Sequence, residues 1–278
     1  MEAQIVDVVV RCKNEMPHVE HALESLLKQR GVLARLLFLD DGSTDGSLEV
    51  AQRFGVRTLP REPGPYVPGA VLNRGMRLTS SPVVAFVNAD AIPQSDDALA
   101  RLVAPFEGAP SLGATFGRQL ARPGADPLVR AEYARAFGPT QPVDVRHGRF
   151  FSMVASAVRR SVWARWPFDE TLPYSEDVAW TRQILGEGHE VRYVPEAEFE
   201  HSHDYDLKGL IRRRRGEGAA DRRIHELGPP SLVDDFARPL VGALVRDARQ
   251  GLIGGQALAV RLAQAGGYYA GRRTGGRS

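Results

Sequence analysis

The sequence predicts an α/β protein whose core is a mostly parallel, Rossmann-like sheet. Three observations carry that prediction. Residues 5–10, 36–39 and 83–87 are short, nearly continuous apolar runs, the pattern of strands buried on both faces. Helical patterns separate them, and strand–helix–strand alternation at this spacing gives a parallel sheet with right-handed crossovers. Two of the runs end in acids: Asp40 and Asp41 follow the second, and Asp90 follows the third. In open α/β sheets the carboxyl edge of the strands is where ligands bind.

Taken in order, the β-branched run 5–10 is the first strand, and Arg11-Cys12-Lys13-Asn14-Glu15 breaks it. Pro17 opens a helix to about residue 29, with Val19, Ala22, Leu23, Leu26 and Leu27 along one side. The second strand ends in Asp40-Asp41-Gly42-Ser43-Thr44-Asp45, which puts carboxylates at a strand tip and capping residues at the next helix start. Capping accounts for Ser43, Thr44 and Asp45 but does not need both Asp40 and Asp41. Carboxylates so placed accept hydrogen bonds from a nucleobase N–H or a ribose hydroxyl. A short strand over 56–59, a proline- and glycine-rich loop over 60–68 and a helix over 70–78 lead to the strand 83–87. Asp90, with the amide of Asn88 two residues before it, suits a hard divalent cation that holds phosphate oxygens. A plain aspartate-containing turn explains the same residues.

Further along, a helix over 128–137 lies between loops at 123–127 and 138–142. Ser175 reads as the cap of a helix with Glu176 and Asp177 in its first turn. Val178, Trp180, Thr181, Ile184 and Leu185 give that helix an apolar face, and Gly186 and Gly188 stop it. The helix dipole keeps a carboxylate there ionised, which serves either the helix alone or a general base. A strand pair, 191–194 and 197–200, precedes His201 and His203, which project to one face and can ligate a metal or donate to a diphosphate. Arg212, Arg213, Arg214 and Arg215 point all round a helix, as a solvated face or with one or two clamping phosphate oxygens. Beyond Asp235 the pattern is two amphipathic helices, packed on the body or lying on a membrane surface.

The 278 residues suffice for a full core, and 43% hydrophobic with 25% charged residues is the composition of a soluble globular protein. A net charge of +2 excludes wholesale nucleic-acid binding. The charge is uneven: from Tyr205 onward there are 14 Lys+Arg against 7 Asp+Glu, and before it 22 against 27. That basic end suits anionic headgroups at a peripheral membrane contact. The single cysteine, Cys12, excludes an internal disulfide and points to the cytoplasm. No signal peptide is expected, and no run reaches the roughly 18 apolar residues of a membrane span.

The residues from Val8 to Glu15, from Leu39 to Ser47, Asn73-Arg74-Gly75 and Asn88-Ala89-Asp90 together resemble family 2 inverting glycosyltransferases of the GT-A fold. Residues 116–123, 151–163, Ser175-Glu176-Asp177 and His201-Ser202-His203 resemble its rhamnosyltransferase-like branch, as the far C-terminus does more weakly. The likeness covers roughly residues 5–215. It implies a nucleotide-sugar-binding half over 1–95, an acceptor-binding and catalytic half over 96–205, and a basic helical region over 206–278. It implies that Asp40 and Asp41 hold the nucleoside, with Arg11, Asn14, Glu15, Asn73 and Asn88 around the nucleotide. Asp90 and His201 would hold Mn2+ or Mg2+, and His203 and Arg212 would face the diphosphate. Asp177 would be the catalytic base, with Glu176 as the next candidate. The family's metal motif usually begins with Asp where this chain has Asn88, so ligation rests mainly on Asp90. The donor implied is dTDP-rhamnose or a UDP-hexose, and the acceptor a hydroxyl of a glycan, a lipid-linked sugar or a small molecule. Met153, Val154 and Ala155 stand where the family often has asparagines, which signals a different acceptor. One alternative, a sugar nucleotidylyltransferase, would want a glycine-rich phosphate loop that residues 10–16 lack. The other, an inactive binding module, is favoured by Asn88 and opposed by Asp177.

Overall fold

The computed structural model describes residues 4–140, 143–146 and 148–274. Two residues of the loop expected at 138–142, Gln141 and Pro142, lie outside them. The chain forms two compact units. The first runs through Pro123 and adds Tyr133–Thr171 and Glu176–Ser202; the second combines Gly124–Glu132, Leu172–Ser175 and the chain from His203.

In chain order the elements are β1 (Gln4–Cys12), α1 (His18–Leu27), β2 (Val32–Asp40), α2 (Ser47–Arg53), β3 (Arg57–Pro60), α3 (Pro68–Arg77), β4 (Val83–Asn88), β5 (Ile92–Pro93) and α4 (Ala98–Val103). There follow β6 (Leu112–Leu120), α5 (Pro127–Ala136), α6 (Val143–Arg146), β7 (Ala155–Arg159), α7 (Arg160–Arg165), α8 (Glu176–Gly186) and β8 (Glu190–Glu200). The last helices are α9 (Leu207–Ile224), α10 (Arg238–Arg249) and α11 (Gly255–Thr274).

Among the described residues, eight strands form one sheet in the order β3-β2-β1-β4-β7-β6-β8-β5. The β3-β2-β1-β4 half is parallel throughout. β7 runs antiparallel to both β4 and β6, β8 is parallel to β6, and β5 closes the edge antiparallel to β8. Alternation along β1 builds both layers. Val6, Val8 and Val10 pack with Leu23 and Leu26 of α1 and Leu99 and Leu102 of α4. Val9 packs on the other face with Leu72 and Met76 of α3. At Gly75 a Cβ would come within 2.8 Å of Val9 Cγ1, so α3 lies this close only because the side chain is absent.

The register aligns the strand tips that matter. Arg11 pairs with Asn88 across β1–β4, and Cys12 pairs with Asp40 across β1–β2. Two local expectations are corrected. Leu27 is 48% exposed, so the buried stripe of α1 ends at Leu26. The strand pair at 191–194 and 197–200 is one continuous strand, β8. Its pairing with β6 jumps from Val194 to Glu198, and Pro195, which has no N–H to give a ladder, falls in the skipped stretch.

In the second unit α9 and α11 cross closely. A Cβ on Gly271 would strike the Arg215 carbonyl, and one on Gly218 would strike that of Tyr268. Arg261, buried, donates to both carboxylate oxygens of buried Asp247 at 2.7 and 2.8 Å and also pairs with Glu132. The charges of this helical unit are therefore partly internal, while Val241 and Val245 on α10 face outward.

Candidate active site

The loops after β1 and β2 lock each other. Asp41 N donates to the Cys12 carbonyl at 2.9 Å, and Lys13 Nζ reaches the carbonyls of Asp41 and Gly42. Asn14, with φ 57°, takes the Thr44 N–H on its side-chain oxygen at 2.7 Å and gives its own N–H to Ser43 Oγ. Glu15 N donates to Ser47 Oγ. Buried Asp40 accepts on Oδ2 from Gly42 N and Ser43 N, as a loop-capping carboxylate does. Its Oδ1 is buried and has no hydrogen-bond partner among the described residues. Beside these loops lies a cavity of about 520 Å³, in the usual range for small-molecule sites. Arg11, Glu15, Asp40, Asp41 and Asn88 line it, joined by Lys13, Arg61, Tyr66 and Arg74, which sequence reasoning did not single out. Asp41 is 3.6 Å from Arg61.

Asn73 requires a correction. It is 2% exposed, and its Nδ2 donates to the Phe168 carbonyl at 2.9 Å and to Glu170 at 2.8 Å. Its Oδ1 accepts from Trp163 Nε1 and Phe168 N. Both donors and both acceptor positions are used, so nothing remains for a nucleotide. Asn73 instead ties α3 to residues 163–170.

Asp90 follows the tip of β4 and is 1% exposed. The Arg122 Nη2 lies 3.1 Å from its Oδ2 and donates to its carbonyl at 2.8 Å; another Arg122 nitrogen holds the Ser202 carbonyl. His201, also buried, brings Nε2 within 3.5 Å of the same Oδ2. The backbone N of His201 donates to Leu120, so the end of β6 fixes this histidine. Burial pushes the Glu15 carboxyl up to about 8, the Asp90 charge adds to the rise, and Arg122 opposes it. Asn88 accepts from Arg11 Nη2 at 2.9 Å. Arg122 was not legible as part of the site: it follows β6, far in sequence from Asp90, and only strand pairing brings the two together.

The second acidic centre is Glu176–Asp177 at the start of α8. Ser175 has φ 59° rather than the extended conformation usual for an N-cap. Asp177 Oδ1 accepts from Val178 N at 2.9 Å. Glu176 Oε1 stands 3.9 Å from Arg11 Nη1. Burial pushes Glu176 up to about 7, the Asp177 charge adds to this, and Arg11 pulls back. Burial likewise raises Asp177, against the Val178 N–H and Arg11. Burial thus raises both carboxyls where the helix dipole alone would lower them. A helix end is worth about 0.3–1 kcal/mol at exposed sites, and desolvation outweighs it here.

In the second unit, the His203 ring lies beside that of Tyr205, with centroids 5.3 Å apart and planes inclined at 42°. Arg213 is held by Glu217 and Tyr205, and Arg214 by Glu217; Arg212 and Arg215 are exposed. Arg213 is exposed as well, so the run divides by pairing and not by exposure.

The family model for glycosyl transferase family 2 matches residues 7–165. The chain belongs to that family. The O-antigen chain rhamnosyltransferase WbaN of Salmonella anatum is 27% identical over 198 residues, which is 67% of this chain and 62% of the relative. The O-antigen chain rhamnosyltransferase RfbN of Salmonella typhimurium is 28% identical over 206 residues, 69% of this chain and 65% of the relative. The chain thus spans less than two thirds of the length of either. Among solved structures, the mannosyltransferase PcManGT of Pyrobaculum calidifontis, in complex with GDP-Man and Mn2+, superimposes with a TM-score of 0.63 at 20% identity, covering 93% of this chain and 73% of that one. Glucosyl-3-phosphoglycerate synthase of Mycobacterium tuberculosis gives 0.59 at 21% identity and 80% coverage of each chain. The fold is GT-A. Among the described residues no helix is long and apolar enough to cross a membrane.

Proposed function

We propose that this family 2 protein is an inverting glycosyltransferase that moves a sugar from a pyrimidine nucleotide donor, dTDP-rhamnose or a UDP-hexose, to a hydroxyl acceptor. The observation that carries this is Arg11: one guanidinium touches Asn88 at the nucleotide-sized cavity and approaches the buried acid pair Glu176–Asp177. Donor cavity and proton acceptor are thereby joined in one unit. The buried, unpartnered Asp40 Oδ1 suits a nucleobase N–H, and Asp41 suits a ribose hydroxyl. The rhamnosyltransferase relatives support dTDP-rhamnose as the first donor to try.

Asp90 and His201 fit a divalent cation, since a carboxylate and an imidazole nitrogen 3.5 Å apart form a mixed O/N donor pair in a dry site. When bound, Mn2+ or Mg2+ supplies positive charge to the departing diphosphate. Arg122 adds a fixed positive charge beside Asp90. Asp177 takes the acceptor hydroxyl's proton as that oxygen attacks the anomeric carbon in a single displacement. Burial raises its pKa, and a more basic carboxylate is the better proton acceptor. The acceptor is a glycan, a lipid-linked sugar or a small molecule, and the exposed Arg212, Arg215 and Arg249 suit peripheral contact with anionic lipid.

The test is release of nucleoside diphosphate from dTDP-rhamnose and UDP-hexoses with Mn2+, over a panel of hydroxyl acceptors. Acceptor-dependent release with inverted product anomer is expected. Binding of donor without turnover on any acceptor would instead indicate the inactive module.

A further inference from the structure

We propose that Gln119 is a positioning residue that sets the tautomer of His201 and so turns Nε2 into a cation-binding atom; this rests on the reading of Asp90 and His201 as ligands. The argument starts at Ser152, whose Oγ takes the Val154 N–H at 3.4 Å and the Gln119 Nε2–H at 2.7 Å. With its nitrogen so engaged, buried Gln119 presents Oε1 to His201 Nδ1 at 2.9 Å. A carboxamide oxygen only accepts, so Nδ1 carries the proton. The Tyr133 hydroxyl, 3.4 Å from Nδ1, lies on the same side of the ring.

The neutral ring then has its lone pair on Nε2, and Nε2 faces Asp90 Oδ2 at 3.5 Å. Two electron-rich atoms at that distance, both buried, need a positive charge between or beside them. Arg122 provides part of it on the Oδ2 side. Without the Gln119 acceptor, the opposite tautomer becomes favourable, because Nε2–H would donate to Asp90. That hydrogen bond would occupy both ligand atoms at once. Gln119 therefore prevents the site from closing on itself. Outer-shell partners of ligating histidines commonly act in this way, and their loss costs about 10–100-fold in metal affinity.

The test compares the full chain with Gln119→Leu, Gln119→Glu and His201→Ala. Mn2+ affinity is measured by electron paramagnetic resonance without nucleotide, and the His201 tautomer by nitrogen-15 NMR without metal. Gln119→Leu should weaken Mn2+ about 10–100-fold and move the His201 proton to Nε2. Gln119→Glu, which keeps an acceptor, should restore both. UDP affinity in chelator should match the parent in all variants, showing that the fold is retained. If His201→Ala weakens Mn2+ but Gln119→Leu does not, or if the tautomer is unchanged, the positioning role is wrong. If His201→Ala leaves Mn2+ affinity intact, or the parent binds no Mn2+, the ligand reading fails and the inference with it.

Discussion

The Arg11 guanidinium stands 3.9 Å from the Glu176 carboxylate, and its other terminal nitrogen holds Asn88 at 2.9 Å. Its charge opposes the rise that burial gives Glu176 and, after the Val178 N–H, that of Asp177. Arg11→Met should therefore shift the acid limb of the transfer-rate profile to higher pH, with a loss at pH 7 larger than at pH 9. A limb that stays put, or moves to lower pH, would show that Arg11 does not act on the base.

Glu15 gives a stability prediction of definite sign. Burial and Asp90 raise its carboxyl from 4.5 to about 8 in the folded protein. The folded state then binds more protons than the unfolded one between those values, so its contribution is present below pH 4.5 and is lost as pH climbs through about 8. In chelator, the melting temperature of Glu15→Gln should exceed that of the parent increasingly from pH 5 to pH 8. A constant difference across that range would contradict the raised pKa.

Asp90→Ala should abolish measurable Mn2+ binding by calorimetry and remove metal-stimulated turnover. Asn88→Asp should hold or tighten Mn2+ affinity, since it adds a charged oxygen ligand where the chain now has a neutral one. Activity indifferent to both chelator and Asp90→Ala would remove the metal from the account.

Asn73→Ala separates structure from binding. It leaves Trp163 Nε1, Phe168 N and the Phe168 carbonyl without their partner. Each such buried group costs about 1–3 kcal/mol, so unfolding free energy should fall by at least about 2 kcal/mol. Affinity for UDP or dTDP should be unchanged below the melting transition. A stable variant with lost nucleotide affinity would return Asn73 to the donor site.

How much of this was legible follows from what each residue depends on. Acids at strand tips could be read because a buried run that ends in Asp40 or Asp90 fixes the carboxylate to the sheet edge, and parallel register then aligns the tips. The parallel half of the fold was legible for the same reason. The antiparallel placement of β7 was not, since no local signal says which edge a late strand joins. Asn73 left a readable clue: it shares the buried face of α3 with Leu72 and Met76. Gln119 and Arg122 left none, because Gln119 meets His201 through a β6–β8 pairing that joins residues 82 positions apart, and Arg122 meets Asp90 across 32 positions with no local spacing to mark it. The upward shift of Glu176 and Asp177 was not legible, because helix position is written in the sequence and depth of burial is not.

Asp177→Asn tests the central claim most directly, with nucleotide binding and sugar transfer measured on the same preparation. The amide keeps size and hydrogen bonding but cannot take the acceptor's proton. Loss of a general base costs about two to four orders of magnitude in rate. The account predicts UDP or dTDP and Mn2+ affinities like the parent's, with transfer reduced by at least about a hundredfold. Transfer above about a tenth of the parent rate, a barrier change of only about 1.4 kcal/mol, would contradict the assignment and make Glu176→Gln the next variant to measure.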